Sequence, residues 1–311
     1  MDKNSGRRPL PEEEKVFSVT EKEFALFQDL IYRKAGIYLG PAKKALLVGR
    51  LSRRLRDLNI RSLGEYYQRV VDEGEDELIT LLDSISTNET HFFRESRHFE
   101  FLEDQVFPEW HSQAWSGLRK RKIRVWSAAC STGEEPYSLA MILFDRFPPS
   151  SGWEIKILAT DLSTRVLKNA EAGVFPGEKA DEIPEKYLKS YMLKGTGKQA
   201  DKMKAGPAIR SLIQFSRMNL NDPAYPLTGS FDLIFCRNVL IYFNAESKAH
   251  VIRLLLSYLA PKGYLFLGHA ESVNFQDRLI RSIIPTIYTH AEKDEPKTIG
   301  PLKPVSGNPR V

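Results

Sequence analysis

The first quarter of the chain has apolar residues at the spacing of helix faces. Phe24, Phe27 and Ile31 recur on one face of a helix that would end near Gly36. A second helix is predicted after residue 41, and its buried stripe consists of four leucines: Leu47, Leu51, Leu55 and Leu58. A capping box at residues 62–65 and apolar residues between 78 and 85 indicate two further helices. We therefore predict a small helical domain over residues 18–86.

From about residue 122 the pattern changes to short apolar runs that alternate with helical segments. The predicted strands are residues 123–128, 155–159, 231–236 and 264–267. The predicted helices that follow three of them are residues 135–147, 164–172 and 246–259. This alternation is typical of a parallel sheet that is covered by helices on both faces. The pattern predicts a Rossmann-like α/β domain.

The alternation breaks between residues 173 and 218, where strands are predicted at 187–193 and 209–215. We interpret residues 174–217 as a small insertion that is partly β. The predicted organisation is given by ranges: a flexible arm at 1–17, the helical domain at 18–86, a linker at 87–97, the α/β domain at 98–293 and a flexible tail at 294–311.

Composition narrows the class of protein. The chain has 311 residues with 42% hydrophobic and 27% charged residues, which is ordinary for a soluble globular protein. No apolar stretch is long enough to cross a membrane. Cys130 and Cys236 are the only cysteines and no metal-site spacing occurs, so we expect neither a disulfide framework nor a bound metal. A cytoplasmic monomer without membrane insertion is expected, and the mildly basic net charge of +5 is compatible with an acidic partner.

Candidate chemistry begins at the ends of the first two predicted strands. Gly133 lies in the turn after the first strand and would let the backbone approach a ligand closely. Asp161 ends the next strand, where its carboxylate either accepts hydrogen bonds from ribose hydroxyls or caps a helix. Glu134 and Glu135 would repel a pyrophosphate and suit a ligand with cationic groups, although they also complement a helix dipole.

Polar residues also follow the third strand and fill the linker. Arg237 and Asn238 interrupt an apolar run, where their burial would be costly without a partner, so a ligand-site role is favoured. Tyr242 follows them and is either a site residue or a core aromatic. Three linker residues could cover a polar ligand, the alternative being a helix cap with an interdomain core: Asn88, Thr90 and Arg94.

These segments together resemble the CheR family, the chemotaxis receptor glutamate methyltransferases. The matching motifs occur in the family's order at residues 87–94, 127–138, 159–161, 236–243 and 268–271. The resemblance covers residues 16–290. It implies transfer of a methyl group from S-adenosylmethionine to glutamate carboxylates of chemoreceptors, which leaves S-adenosylhomocysteine and a methyl ester.

The resemblance also implies roles for individual residues. Asn88, Thr90 and Arg94 would contact the cofactor from the linker. The rest of the cofactor pocket would be formed as follows: Glu134 at the amino acid part, Asp161 at the ribose, Asn219 and Leu220 at the adenine, and Arg237 and Asn238 completing the wall. Arg94 and Tyr242 would lie beside the methyl group and the incoming carboxylate. The insertion would match the β-subdomain that docks a receptor-tail peptide in some members.

The second helix is strongly basic, with seven basic residues and one aspartate over residues 41–61. Arg50, Arg53 and Arg54 are predicted to face solvent. They form either a solvated surface or, given the implied substrate, a surface that attracts an acidic helical region of a receptor. Two other functions stay open at this point: a nucleic-acid methyltransferase that uses the basic helix, and a non-catalytic S-adenosylmethionine-binding adaptor.

Overall fold

The computed structural model describes residues 17–86, 88–271 and 280–291. Almost all of the predicted N-terminal arm and the whole C-terminal tail lie outside the described residues. Within the described residues, two domains meet along a pocket. No helix among them has the length and apolar character needed to cross a membrane.

Four helices build the N-terminal domain: α1 (Glu21–Ala35), α2 (Lys44–Asp57), α3 (Leu63–Glu73) and α4 (Glu75–Ile85). Helix α1 begins at a capping box in which Thr20 accepts a hydrogen bond from the backbone of Glu23 and Glu23 returns one. It ends at Gly36, whose φ of 70° few other residues adopt. The predicted apolar faces are confirmed for Phe27, Ile31 and the leucines 47, 51 and 55, which are fully buried. The predicted fourth leucine of the stripe, Leu58, lies just beyond the end of α2 and is only half-buried.

Two short helices follow the linker, and the sequence did not predict them. They are α5 (Ser96–Phe101) and α6 (Phe107–Trp115), joined by a π-helical turn at Leu102–Val106. Their aromatic side chains pack in the main core, where Phe107 contacts Phe147 with ring centroids 5.0 Å apart. These helices anchor the linker against the α/β domain.

The α/β domain is built on a seven-stranded sheet in the order β6-β2-β1-β7-β8-β10-β9. The strands are β1 (Lys122–Ala128), β2 (Glu154–Asp161), β6 (Ile213–Arg217), β7 (Phe231–Cys236), β8 (Leu259–Leu267), β9 (Ile280–Ile284) and β10 (Ile287–His290). The first five of these run parallel, and β10 is antiparallel to both of its neighbours. The parallel strands therefore all end at one edge of the sheet.

Three helices cover the sheet close to the predicted bounds: α7 (Glu134–Arg146), α8 (Thr164–Ala172) and α11 (Ala245–Tyr258). Ser163 caps α8 and Asn244 caps α11 through side-chain oxygens that accept backbone N–H groups. The long apolar stretch of α7 is almost entirely buried against the sheet. The predicted Rossmann-like fold with a helical domain before it is confirmed.

The insertion differs from its prediction. Its own sheet has three antiparallel strands, β3 (Val174–Pro176), β4 (Met192–Lys194) and β5 (Lys202–Ala205), in the order β3-β5-β4. The strand predicted at 187–193 is wrong, because Glu185–Tyr191 forms helix α9. The strand predicted at 209–215 is displaced: the short helix α10 (Pro207–Arg210) precedes β6, and β6 pairs with β2 in the main sheet. The β part of the insertion therefore ends at Ala205, before residue 217.

Candidate functional site

A pocket lies at the carboxyl edge of the sheet, between the two domains. This location follows from the fold, since open α/β sheets bind ligands beyond the ends of their parallel strands. The α/β domain contributes strand-end residues to the wall, among them Ala129, Asp161 and Asn238. The N-terminal domain contributes the opposite wall, which is mostly apolar: Ala35, Ile37, Leu39, Lys43, Leu46 and Ile85. The linker contributes Asn88, Glu89, Thr90 and Arg94.

The backbone around this pocket adopts an unusual conformation. Seven non-glycine residues have positive φ in the described part of the chain, and five of them belong to the segments that surround the pocket: Phe93, Glu95, Ala129, Ser131 and Asn238. Such conformations cost free energy and persist only where the surroundings hold them. Their concentration here marks the pocket as a functional site.

Asp161 ends β2 at the pocket wall. Its carboxylate accepts hydrogen bonds from the backbone N–H of Ser131 at 2.8 Å and of Ser163 at 2.9 Å. Burial raises the pKa of Asp161 above its ordinary value, and the two backbone donors partly offset that increase. Asp161 thus ties the turn after β1 to the segment before α8 and lines the pocket, whereas the cap of α8 is Ser163 and not Asp161.

Arg237 holds the strand ends and the linker together. Its side chain is 2% exposed, and its Nε donates to Glu135 at 2.7 Å. Its Nη1 donates to the carbonyl oxygen of Arg94 at 2.5 Å and lies 3.6 Å from Glu95. Buried charges need such partners. Arg237 lines the pocket, but its guanidinium is engaged by protein groups.

A buried histidine and two carboxylates complete this network. Nη1 of Arg237 donates to Nδ1 of His98 at 3.1 Å, which leaves Nε2 to donate to the Thr286 hydroxyl at 2.8 Å. Burial and the charge of Arg237 lower the pKa of His98 to about 4, so the imidazole is neutral at pH 7. Burial acts to raise the pKa of Glu95, but the charge of Arg237 and the backbone N–H of His269, together with the nearby histidines, outweigh it and lower the net pKa.

Glu271 holds the turn after β7. Its carboxylate accepts backbone N–H groups from Asn238 at 2.9 Å, Leu240 at 2.6 Å and Gly268 at 2.7 Å. The side chain is fully buried, and burial raises its pKa despite these donors. Glu271 thereby fixes the backbone on which Asn238 and Tyr242 are carried. In the sequence, only the motif at 268–271 indicates this role.

Two predicted residues lie elsewhere than expected. Glu134 is not on the pocket wall: it bonds Lys179 of the insertion at 2.6 Å and the Thr132 hydroxyl at 2.6 Å, whereas its neighbour Glu135 lines the pocket. Gly133 also lies off the wall. It has φ 102°, and a Cβ at this position would approach Ala170 of α8 to 3.0 Å, so glycine serves helix packing rather than ligand approach.

The other predicted site residues are brought together. Nine line the pocket: Asn88, Thr90, Arg94, Asp161, Asn219, Leu220, Arg237, Asn238 and Tyr242. Arg94 donates from Nη1 to the carbonyl oxygen of Glu89 at 3.0 Å. Lys179 also donates to the carbonyl oxygen of Thr90 at 3.0 Å, so the insertion helps to position the linker. Sequence reasoning missed Lys43 and the apolar wall, because they come from another domain.

The three arginines of α2 do not share one environment. Arg53 is 89% exposed, with Asp57 at 3.9 Å, and Arg50 is exposed and donates to the carbonyl oxygen of Ser86 at 3.1 Å. Arg54 contradicts the prediction that it faces solvent. It forms a two-point ion pair with the buried carboxylate of Glu77, to which Tyr66 also donates its hydroxyl at 2.7 Å.

Comparisons with known proteins agree with this architecture. The model of the CheR methyltransferase all-alpha domain matches residues 22–86, and that of the CheR methyltransferase SAM binding domain matches residues 88–288. The chain belongs to the CheR methyltransferase family. It is therefore a methyltransferase with an S-adenosylmethionine-binding domain.

Curated members of the CheR family match the chain over most of its length. Chemotaxis protein methyltransferase 2 of Pseudomonas aeruginosa is 37% identical over 280 residues, which cover 88% of this chain and 95% of that protein. The chemotaxis protein methyltransferase of Borreliella burgdorferi is 37% identical over 273 residues, with shares of 87% and 95%. Chemotaxis protein methyltransferase 1 of P. aeruginosa is 40% identical over 263 residues, with shares of 83% and 92%.

The pocket wall fits the cofactor of a CheR methyltransferase. The Asp161 carboxylate accepts two backbone donors and has further lone pairs for ribose hydroxyls. Met218 and Leu220 offer apolar surface for a planar base next to the side chain of Asn219. Asn219 is itself held, because its amide donates to the carbonyl oxygen of Lys34 at 2.7 Å.

Proposed function

We propose that this chain transfers a methyl group from S-adenosylmethionine to glutamate side chains in the cytoplasmic region of chemoreceptors, forming methyl esters. The observation that carries the proposal is the pocket itself. The linker residues Asn88, Thr90 and Arg94 face the strand-end residues Asp161 and Asn238 across one cavity, and the family motifs lie on both sides of it.

The proposed cofactor contacts follow from the pocket wall. Asp161 accepts the ribose hydroxyls, and Asn219 and Leu220 flank the adenine. Asn88, Thr90 and Asn238 offer polar groups to the amino acid part. Arg237 acts mainly by holding the linker, and Glu134 acts through Lys179 and not by direct contact.

The residues do little covalent chemistry in this proposal. The cofactor supplies a methyl group bonded to a sulfonium, and a glutamate carboxylate is already ionised at neutral pH, so no strong base is needed. Arg94 attracts the carboxylate as a charge-assisted partner, and the Tyr242 hydroxyl orients it. The remaining task of the pocket is alignment and the exclusion of water.

Two surfaces outside the pocket are proposed to bind the receptor. Arg50 and Arg53 lie on the exposed part of α2 and attract an acidic helical region of the substrate. Arg54 is withdrawn from this set because it is engaged with Glu77. The three-stranded sheet of the insertion is proposed as the dock for a receptor-tail peptide in receptors that carry one.

The test is methyl transfer from labelled S-adenosylmethionine to membranes rich in chemoreceptors. We expect label in the receptor that alkali releases as methanol, since methyl esters hydrolyse in base. The D161N variant should bind the cofactor about 10-fold or more weakly, because one charge-assisted acceptor is lost. Calorimetry with S-adenosylhomocysteine measures that loss.

The outcomes separate this proposal from the other two functions. Label in nucleic acid, with binding that falls steeply as salt increases, would indicate a nucleic-acid methyltransferase. Cofactor binding without any label transfer would indicate an adaptor. Either result contradicts glutamate methylation.

A further inference from the structure

Three cationic side chains line the pocket: Lys43, Arg94 and Arg237. Arg237 is neutralised by Glu135 and Glu95, and Arg94 donates to the carbonyl oxygen of Glu89. Among the described residues, Lys43 and Arg94 are in no ion pair, so both keep their full positive charge at the pocket wall. The ammonium of Lys43 lies over the ring of Tyr242, 5.6 Å from the centroid.

The N-terminus of helix α2 lies next to Lys43 and adds a second source of positive potential. Lys43 directly precedes α2, and Leu46 in the first turn of that helix also lines the pocket. The dipole of a helix makes its N-terminus favourable for anions. In the described part of the chain no side chain caps this end of α2, although a 3-10 turn at Pro41–Lys43 leads into it and the N–H of Lys44 donates to the carbonyl oxygen of Pro41. An anion at this wall would therefore meet the lysine and the helix N-terminus together.

Exposed apolar side chains adjoin this wall along the chain. Leu46 lines the pocket and is 38% exposed, and Tyr38 (53% exposed) and Ile241 (45% exposed) are next in sequence to lining residues. We call these three side chains the rim. The backbone N–H of Tyr38 donates to the carbonyl oxygen of Tyr242 at 2.8 Å, which fixes this rim across the domain boundary. A partner that suits the rim has apolar side chains next to an acidic one.

We propose that Lys43, Tyr242 and the first turn of α2 form a carboxylate subsite that receives the reacting glutamate of the protein substrate. This inference rests on the proposed function and adds Lys43 to Arg94 as a cation that attracts the glutamate carboxylate. The N-terminal domain thereby supplies part of the active site, in addition to any docking along its basic helix.

The chemistry predicts how the subsite acts. A carboxylate oxygen bonds to the methyl carbon while the sulfur–methyl bond breaks, and the electron pair of that bond returns to sulfur. The carboxylate loses its negative charge as the neutral ester forms. Lys43 therefore stabilises the bound substrate at least as strongly as the transition state, and it loses its partner in the product.

Replacing Lys43 should accordingly raise the KM for the protein substrate and leave kcat nearly unchanged. For K43M we expect the KM for a receptor fragment to rise about 10- to 100-fold, as for a lost charge-assisted contact, with kcat within about twofold of wild type. K43R should keep more of the affinity, since it keeps the charge. Calorimetry with S-adenosylhomocysteine should show an unchanged Kd for both variants.

K44M is the matched control. Lys44 is the next residue, but its ammonium pairs with Glu21 and it does not line the pocket. We expect a KM within about twofold of wild type for K44M. A KM for K43M that stays within twofold of wild type would overturn the subsite. An equal rise for K44M would also overturn it, since only the overall charge of the helix would then matter.

The failure of this inference is distinguishable from failure of the proposed function. Absence of receptor methylation by the wild-type chain contradicts the proposed function, whatever the variants do. Normal methylation by the wild type together with normal methylation by K43M contradicts the subsite alone.

Discussion

Arg237 carries a positive charge on a side chain that is 2% exposed, and it engages Glu135, Glu95 and the carbonyl oxygen of Arg94. The variant R237M would leave two carboxylates buried without their cation. We expect the free energy of unfolding to fall by about 3–5 kcal/mol, the usual cost of breaking a buried ion pair. Urea denaturation measures it. R124M is the control, because Arg124 donates to carbonyl oxygens near the surface and should cost about 1 kcal/mol. Equal losses of stability in R237M and R124M would contradict the role assigned to Arg237.

Helix α2 presents two different faces, so two neighbouring arginines should behave differently. Arg54 neutralises the buried Glu77, and R54M should lower the free energy of unfolding by about 3 kcal/mol. Arg53 is 89% exposed, and R53M should change stability by less than about 0.5 kcal/mol. If α2 binds the receptor, R53M should instead reduce receptor methylation without altering cofactor affinity. Thermal unfolding checks the expected stability changes of both variants, and methylation rates check the expected loss of activity in R53M. A stable R54M protein would show that the ion pair is dispensable.

The molecule as a whole should respond to the cofactor in both domains. The pocket has walls from α1, α2 and the strand ends, and Asn219 donates across the boundary to the carbonyl oxygen of Lys34. A ligand that binds the folded state stabilises every unit that contributes to its site. We expect S-adenosylhomocysteine to slow amide hydrogen exchange at the end of α1 and the start of α2, as well as at strand ends. Slower exchange in the α/β domain alone would show that the helical domain is not part of the cofactor site.

The sequence alone determined the four helices of the N-terminal domain, four parallel strands of the main sheet and most of the site. Hydrophobic spacing located α8 and β7 at their observed bounds and several others within a few residues, because these segments bury regular apolar faces. The common edge of parallel strands predicted that Asp161 and Asn238 lie close together, and the resemblance to the CheR family implied that Asn88 of the linker joins them. Hydrophobic spacing missed the helix at 185–191, since its seven residues are too few to show a helical period.

The tertiary structure decided which of two adjacent charged residues contacts which partner. Glu134 and Glu135 are indistinguishable in sequence, but successive helical residues point about 100° apart, and the packing of α7 turns Glu135 to Arg237 and Glu134 to Lys179. For the same reason Arg53 is exposed to solvent, whereas Arg54 is paired with Glu77. Lys43 reaches the pocket only because a second domain folds over the sheet. Periodicity records which face of an element is buried, whereas the partner of a charged side chain depends on which distant segment packs against it.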